Sequence, residues 1–376
     1  MSWKGSVMDQ RREFVTLALQ ESANHQLLCE RFGISRKTGY KWLARALSGE
    51  AQWASDRSRR PGRSPGQCAP ALEAAVMAVR QDHPAWGARK IAWTLESQGL
   101  APPAVSTVHA ILRRHGAVRP REAQAKATGR FEYPQPNLVW QMDFKGRTRL
   151  VGGRYVHPLT VLDDHSRYTV CLAACPNERG DTVQGHVTAA FRRYGLPEAF
   201  LVDNGSPWGG GGDTRWTPLA VWLLKLGIGI IHSRPYHPQT RGKNERFNRT
   251  LIDEVLALKL FRTLDQVQDA FDAWRVLYNT RRPHQGIGMR PPATRYQPSA
   301  RSMPSRIPSV DYASTDITRI VGTTKSYISF KGRPWKLPQA FAGERVAIRP
   351  LDQDGSFGVF FGAQQISSFD LKDTVE

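Results

Sequence analysis

Residues 138–146 read LVWQMDFKG, and strand alternation puts Trp140, Met142 and Phe144 on one face and Gln141, Asp143 and Lys145 on the other. An ionised aspartate in so apolar a strand carries a desolvation cost unless it is paired or holds a metal. Residues 199–206, AFLVDNGS, repeat the situation: a buried run leads into Asp203 at the carboxyl end of a strand, and Asn204-Gly205 turns the chain. Ligand sites of open α/β sheets gather at such ends. A third acid, Glu245, lies in GKNERFNRT, residues 242–250, on an expected long helix from about Arg241 whose same face holds Arg241, Asn248 and Arg249. Three acids from three elements can converge. Hard divalent cations such as Mg²⁺ take oxygen ligands and keep positions open for water and phosphate, so a few carboxylates suffice for two ions. Two ions about 3.5–4 Å apart can activate a nucleophile and stabilise the leaving oxygen of a phosphoryl displacement.

Outward from these acids the pattern is that of a mixed α/β sheet. Residues 138–146, 154–164 (RYVHPLTVLDD) and 168–175 (YTVCLAAC) form a meander of three strands. A helix at 181–194, the strand AFLVDNGS, a helix at 217–226, the strand GIIHS at 229–233 and the helix from about Arg241 follow, and a further helix, 264–278, packs Val267, Phe271, Trp274 and Tyr278 inward. After PSARSMPSRIPSV (298–310) come the short strands TRIVG, YISFKGRPWKL, ERVAIRPL and FGVFFG, with turns at Lys331-Gly332 and Asp354-Gly355, which read as a small all-β barrel or sandwich.

The amino-terminal third is helical. Phe14, Leu17 and Ala18, then Leu27, Leu28 and Phe32, then Tyr40, Leu43 and Leu47 recur at helical spacing. Between the last two sets stands FGIS, in which Gly33 suits a tight turn, Ile34 can plug the angle between helices, and Ser35 can cap a helix starting at Arg36. That helix carries Arg36, Lys37, Thr38, Tyr40 and Lys41, the residue set of a major-groove reader, so the region resembles a helix-turn-helix. Residues 48–67 are rich in Ser, Gly, Pro and Arg and read as a basic linker. Helices at 71–81, 87–99 and 106–115 follow; with Ser106 as a cap and Thr107, His109, Arg113 and Arg114 behind it, this second set reads as another helix-turn-helix or a winged helix.

The 376 residues suit two or three domains. The division is a helix-turn-helix at 1–50, a linker at 51–67, a second helical DNA-binding domain at 68–130, an α/β core at 131–298 and a β-domain at 299–376. The chain holds 53 Lys plus Arg against 33 Asp plus Glu, a formal +20, so it attracts polyanions. Residues 1–130 alone carry 21 against 10, as a DNA-binding arm would. Four scattered cysteines exclude a disulfide framework, and Cys171 and Cys175 read as core residues of a strand rather than a zinc pair. Residues 1–15 are no signal peptide, and the most apolar stretch, 219–231, is broken by Lys225 and Gly227 and too short for a membrane span. A soluble cytoplasmic protein is expected.

WQMDF (140–144), LVDNGS (201–206) with RPYHPQTRGKNERFNRTL (234–251), and YNTRRPHQGIGMRPPATRY (278–296) resemble the catalytic core of bacterial insertion-sequence DDE transposases, relatives of the retroviral integrases. The resemblance covers about residues 134–297. It implies an RNase H-like core, two Mg²⁺ or Mn²⁺ ions held by Asp143, Asp203 and Glu245, nicking at transposon ends, and transfer of 3′-hydroxyl strands into target DNA. It places Lys243, Arg246, Asn248 and Arg249 near DNA, a homodimer or larger assembly on double-stranded DNA, and the protein at the bacterial nucleoid. Two features depart from the family: 41 residues separate Asp203 from Glu245, with the excess at SPWGGGGDTRW (206–216), and the zinc-binding His/Cys module of retroviral integrases is absent. The glycine-rich segment is either a DNA-contact loop, with Trp208, Arg215 and Trp216 able to stack on bases, or a tolerated surface loop.

Other polar residues have plainer readings. Asp163, Asp164 and His165 at a strand end suit a hydrogen-bonding turn, Asp213 has nothing to fix its position, and His232 and His237 flank the approach to the Glu245 helix. Two other functions compete with transposition. A DNA-binding regulator would have no need of the acid triad, and an RNase H-like nuclease or resolvase would have no need of paired reader helices.

Overall fold

The computed structural model describes residues 6–57, 68–118, 131–209, 215–232 and 242–372. The chain forms two compact units, residues 1–68 and 69–376.

The first unit contains α1 (Val7–Ala18), α2 (His25–Arg31) and α3 (Arg36–Leu47). Each starts with a side-chain cap: Ser6 in a capping box with Asp9, Asn24 accepting from Gln26 and Leu27, and Ser35 accepting from the Thr38 amide. Phe14, Val15, Ala18 and Cys29 are its centre, with Ile34, Trp42 and Leu43 packed against them. Gly39 lets α3 approach closely, because a Cβ there would meet Cys29 Sγ and Phe14 Cζ at 2.8 Å. The inward face of α3 is therefore Gly39, Trp42, Leu43 and Ala46; Tyr40 and Leu47, expected inward, are exposed, as is Leu27 of α2. The start of the expected linker folds back, with Ala54 buried and Arg11 bonded to the Ala54 carbonyl and the Asp56 carboxylate, both at 2.7 Å. Residues 58–67 lie outside the described residues.

The second unit opens with α4 (Pro70–Asp82), α5 (Ala88–Ser97) and α6 (Val105–Arg114). Ser106 does not cap α6. Ala104 occupies the cap position with no side-chain bond, because the helix starts directly after Pro102-Pro103 and takes Ser106 into its first turn. Ser106, His109 and Arg113 share an exposed face, while Val108, Ile111 and Leu112 are buried. Among the described residues of 68–118 there is no strand, and 119–130 lie outside them.

A mixed sheet follows: β1 (Val139–Phe144), β2 (Thr148–Arg149), β3 (Tyr155–Asp163), β4 (Thr169–Cys175), β5 (Ala199–Val202) and β6 (Gly229–His232), in the order β4-β3-β1-β5-β6, with β2 also paired to β3. β1 runs antiparallel to β3 and parallel to β5, which runs parallel to β6. One face packs α7 (Gly180–Tyr194) and α8 (Pro218–Lys225) onto Trp140, Met142, Leu159, Phe200 and Val202. The other packs α9 (Gly242–Leu251), a π-helical turn (Ile252–Leu256) and α10 (Leu264–Thr280) onto Leu150, Val156, Leu162 and Leu172. Val267, Phe271, Trp274 and Tyr278 are buried there, as their spacing predicts. Cys171 and Cys175 are buried in β4, and burial pushes both thiols up to about 12.

The carboxyl-terminal region is all-β: β7 (Ile317–Ile320), β8 (Tyr327–Phe330), β9 (Arg333–Lys336), β10 (Arg345–Pro350), β11 (Ser356–Phe361) and β12 (Gln364–Asp370). Its strands pair as an antiparallel sheet, β12-β11-β10-β7, and a hairpin, β8-β9. The hairpin turns at Lys331 and Gly332, both with positive φ (48° and 74°), the geometry of a tight two-residue turn. Trp216, Ala220 and Val221 share one core with Val346, Ile348 and Phe361, so the outer face of α8 carries this region.

Candidate active site

Strand register brings the two aspartates together. Val139, Trp140 and Gln141 pair with Ala199, Phe200 and Leu201, and the same offset sets Asp143 level with Asp203. Residues opposed on neighbouring strands project to the same side. Trp140, Met142, Phe200 and Val202 take the α7/α8 face, so parity assigns Asp143 and Asp203 to the α9 face. Both are half-buried.

α9 supplies the third element. Its inward residues are Asn244, Phe247 and Leu251, and Phe247 packs edge-on against Tyr278. This seating carries Asn248 to Asp143, where its Nδ2 donates to Oδ2 at 3.2 Å. Glu245, three residues earlier and exposed, lies one turn from that contact. The Oδ1 atoms of Asn244 and Asn248 are buried without hydrogen-bond partners. Among the described residues no three His, Cys, Asp or Glu side chains gather closely enough to hold one ion, so the structure brings Asp143 to Asn248 and level with Asp203 without closing Glu245 onto them. The donor chemistry, two aspartates in register beside a buried amide oxygen with Glu245 one turn away, fits a hard cation.

A second carboxylate fixes the start of α9. Asp164, 1% exposed, accepts from Gln141 Nε2 at 2.6 Å, from the Tyr133 amide at 2.8 Å and from Lys243 Nζ at 2.5 Å. Lys243 is therefore bonded to Asp164. Burial pulls its ammonium below the usual lysine range, and the Asp164 bond opposes that shift. Asp163 accepts from the Asn137 amide and from the amide and hydroxyl of Ser166, the hydrogen-bonding turn that its position suggests. Arg246 and Arg249 are exposed, while Arg241, His237 and Asp213 lie outside the described residues. His232 Nδ1 sits 3.3 Å from the Asp203 carbonyl; that oxygen only accepts, so Nδ1 carries the proton. Burial holds its imidazole below the ordinary range.

The tryptophans of the glycine-rich segment are not available to bases. Trp208 is buried and stacked on Phe144 (centroids 5.8 Å apart), and Trp216 is buried against Phe341 with its Nε1 donating to the Ile366 carbonyl at 3.2 Å. Only Arg215 of the three is exposed. In the first unit Arg36, Lys37, Tyr40 and Lys41 are exposed, but the Thr38 hydroxyl is 2.9 Å from Ser35 Oγ and belongs to the cap. The role of Asp164 and the orienting bond of Asn248 are legible only in three dimensions; the one hint in sequence is the polar doublet Asp163-Asp164 closing an apolar strand.

Residues 133–238 and 226–292 both match the integrase core domain. The α/β region is similar to integrase cores. Residues 38–112 match a homeodomain-like domain, and 316–376, beyond the integrase core, match the C-terminal domain of the IS481 transposase family. The chain is related to insertion-sequence transposases. An insertion element IS476 protein of Xanthomonas euvesicatoria is 33% identical over 158 residues, 42% of this chain and 44% of that one. An insertion element IS407 protein of Burkholderia multivorans is 30% identical over 158 residues, 42% of this chain and 54% of that one. The match thus spans about half the length of these two relatives. The putative transposase for insertion sequence element IS5376 of Geobacillus stearothermophilus is 24% identical over 260 residues, 67% of this chain and 64% of that one. Among solved structures, the simian T-cell lymphotropic virus intasome gives a TM-score of 0.38 at 16% identity, covering 78% of this chain and 99% of that one. No helix among the described residues is long and apolar enough to cross a membrane.

Proposed function

We propose that the chain is a DNA transposase that cuts at the ends of its mobile element and joins the freed 3′-hydroxyl strands to target DNA. Asp143, Asp203 and Glu245 hold the metal ions. The observation that carries this reading is the shared register of Asp143 and Asp203 on parallel strands, with the Glu245 helix bonded to Asp143 through Asn248. Bound Mg²⁺ or Mn²⁺, as a pair, would supply nucleophile activation and leaving-oxygen stabilisation. Asn248 orients Asp143, and Asp164 with Lys243 sets the pitch at which α9 presents Glu245. Arg246 and Arg249 face bound DNA from the outer side of α9.

End recognition falls to Arg36, Lys37, Tyr40 and Lys41 on α3, with Thr38 at its cap, and to Thr107 and the exposed Ser106 and His109 on α6. We read the all-β region as a small barrel. Holding two ends together requires a dimer or larger assembly on double-stranded DNA, in the bacterial cytoplasm at the nucleoid. Purified protein incubated with a labelled fragment of element-flanking DNA in Mg²⁺ should give nicked and joined products, and Asp143→Asn, Asp203→Asn or Glu245→Gln should abolish both while leaving end binding intact. Wild-type joining by any of the three would refute the assignment.

A further inference from the structure

Two residues after Asp143 the chain enters KGRTRLVGGRY, residues 145–155, which contains Lys145, Arg147, Arg149 and Arg154 and no acid. Arg147, Arg149, Arg154 and Tyr155 are exposed, and Lys145 is half-buried with its Nζ 3.2 Å from Thr148 Oγ1. None of the four cations is ion-paired among the described residues, whereas Arg167, Arg282, Arg295, Arg301 and Arg349 all have carboxylate partners.

The strip has two faces. Thr148 pairs with Val156 and Arg149 with Tyr155, so Leu150 and Val156 turn inward and Arg147, Arg149 and Tyr155 outward. The inward pair is buried in the same apolar cluster as Phe247 and Leu251 of α9, and the Val151 amide bonds to the Phe261 carbonyl at 2.8 Å. On the outer side the Arg147 guanidinium lies 4.8 Å from the Tyr155 ring centroid, which limits its wandering. The result is a cationic face on the side of the hairpin turned away from α9, with the strand backed on its other side by the cluster that holds Phe247 and Leu251.

We propose that this face is a phosphate-tracking surface for double-stranded DNA, on the side of the sheet opposite the acids, gripping the backbone without reading sequence. It rests on the functional reading above and adds a contact region to it. A polyanion is the partner that the charge selects, because unpaired cations on a rigid strand pair with phosphates and release counterions. One face of the Tyr155 ring carries the Arg147 guanidinium, and phosphate contact by the cations is the proposed mode.

The test is binding of full-length Arg147→Glu/Arg149→Glu protein to several unrelated 30-base-pair duplexes between about 50 and 200 mM salt, with joining by the wild type measured in parallel. Affinity should fall at least about tenfold, equally for every duplex, and the log–log salt slope should flatten by about two. Arg147→Lys/Arg149→Lys should bind like wild type. Unchanged affinity and slope, or a loss confined to one sequence, overturns the proposal. If the reversal unfolds the protein, Arg147→Ala and Arg149→Ala must each flatten the slope by about one, and failure to do so overturns it equally. Wild type that joins DNA while the variants bind normally sinks this inference alone, and flattened slopes in a protein that never joins DNA sink the transposase reading alone.

Discussion

Asn248 Nδ2 donates to Asp143 Oδ2 across 3.2 Å, tying α9 to β1 at the level where β1 faces the end of β5. The bond holds one oxygen of Asp143 in place. In the function proposed above, Asn248 is a positioning residue for Asp143. Its removal should resemble loss of an outer-shell partner, lowering kcat for joining about 10- to 100-fold while the affinity for end DNA stays unchanged. Asn248→Ala protein with wild-type kcat, or with an affinity defect instead, would contradict this role.

Lys243 and Asp164 form a buried ion pair in which each is the other's main charge partner. Removing one leaves an uncompensated charge, so Asp164→Asn or Lys243→Met alone should cost about 3–5 kcal/mol. The double variant should lose less than the sum of the singles, as a denaturant-melt mutant cycle would read. Strict additivity would show that the pair is not coupled.

Trp216 joins the integrase core to the all-β region. Trp216→Ala should cost about 3–5 kcal/mol through lost packing, and hydrogen exchange should show the loss concentrated in residues 317–370. Uniform loosening across the whole second unit would argue against a local hinge of packing.

Much of this site was legible in the sequence. Strand alternation alone separated Asp143 from Trp140 and Met142, because a period of two is set by backbone geometry and needs no knowledge of neighbours. Trp208 and Trp216 were misjudged because glycines surround them, whereas the groups that bury them, Phe144, Phe341 and Ile366, are distant in sequence. The bond from Lys243 to Asp164, 79 residues upstream, has no signal in the sequence. β12 escaped notice since QQISSFD is largely polar, and of its residues only Ile366 is buried. Periodicity reveals what an element hides from water, and says little about which distant residue meets it.

Burial, reinforced by Arg282, Arg167, Lys90 and Arg246, lowers the His284 imidazole to about 3. Below the ordinary value near 6.5 the unfolded chain takes up a proton that the folded chain refuses, so stability falls as pH drops from about 6.5 toward 3. This residue should contribute about 1.4 kcal/mol per pH unit in that window. His284→Gln should show a shallower decline of Tm between pH 6.5 and 4. Parallel pH profiles for the two proteins would mean that His284 is not held neutral.

A crystal structure of the full chain bound to end DNA in Mn²⁺ bears most directly on the convergence of the three acids. Anomalous peaks should lie within about 2.2 Å of oxygens of Asp143, Asp203 and Glu245, with Glu245 turned toward β1. Metal held by the two aspartates while Glu245 stays turned to solvent would contradict the account.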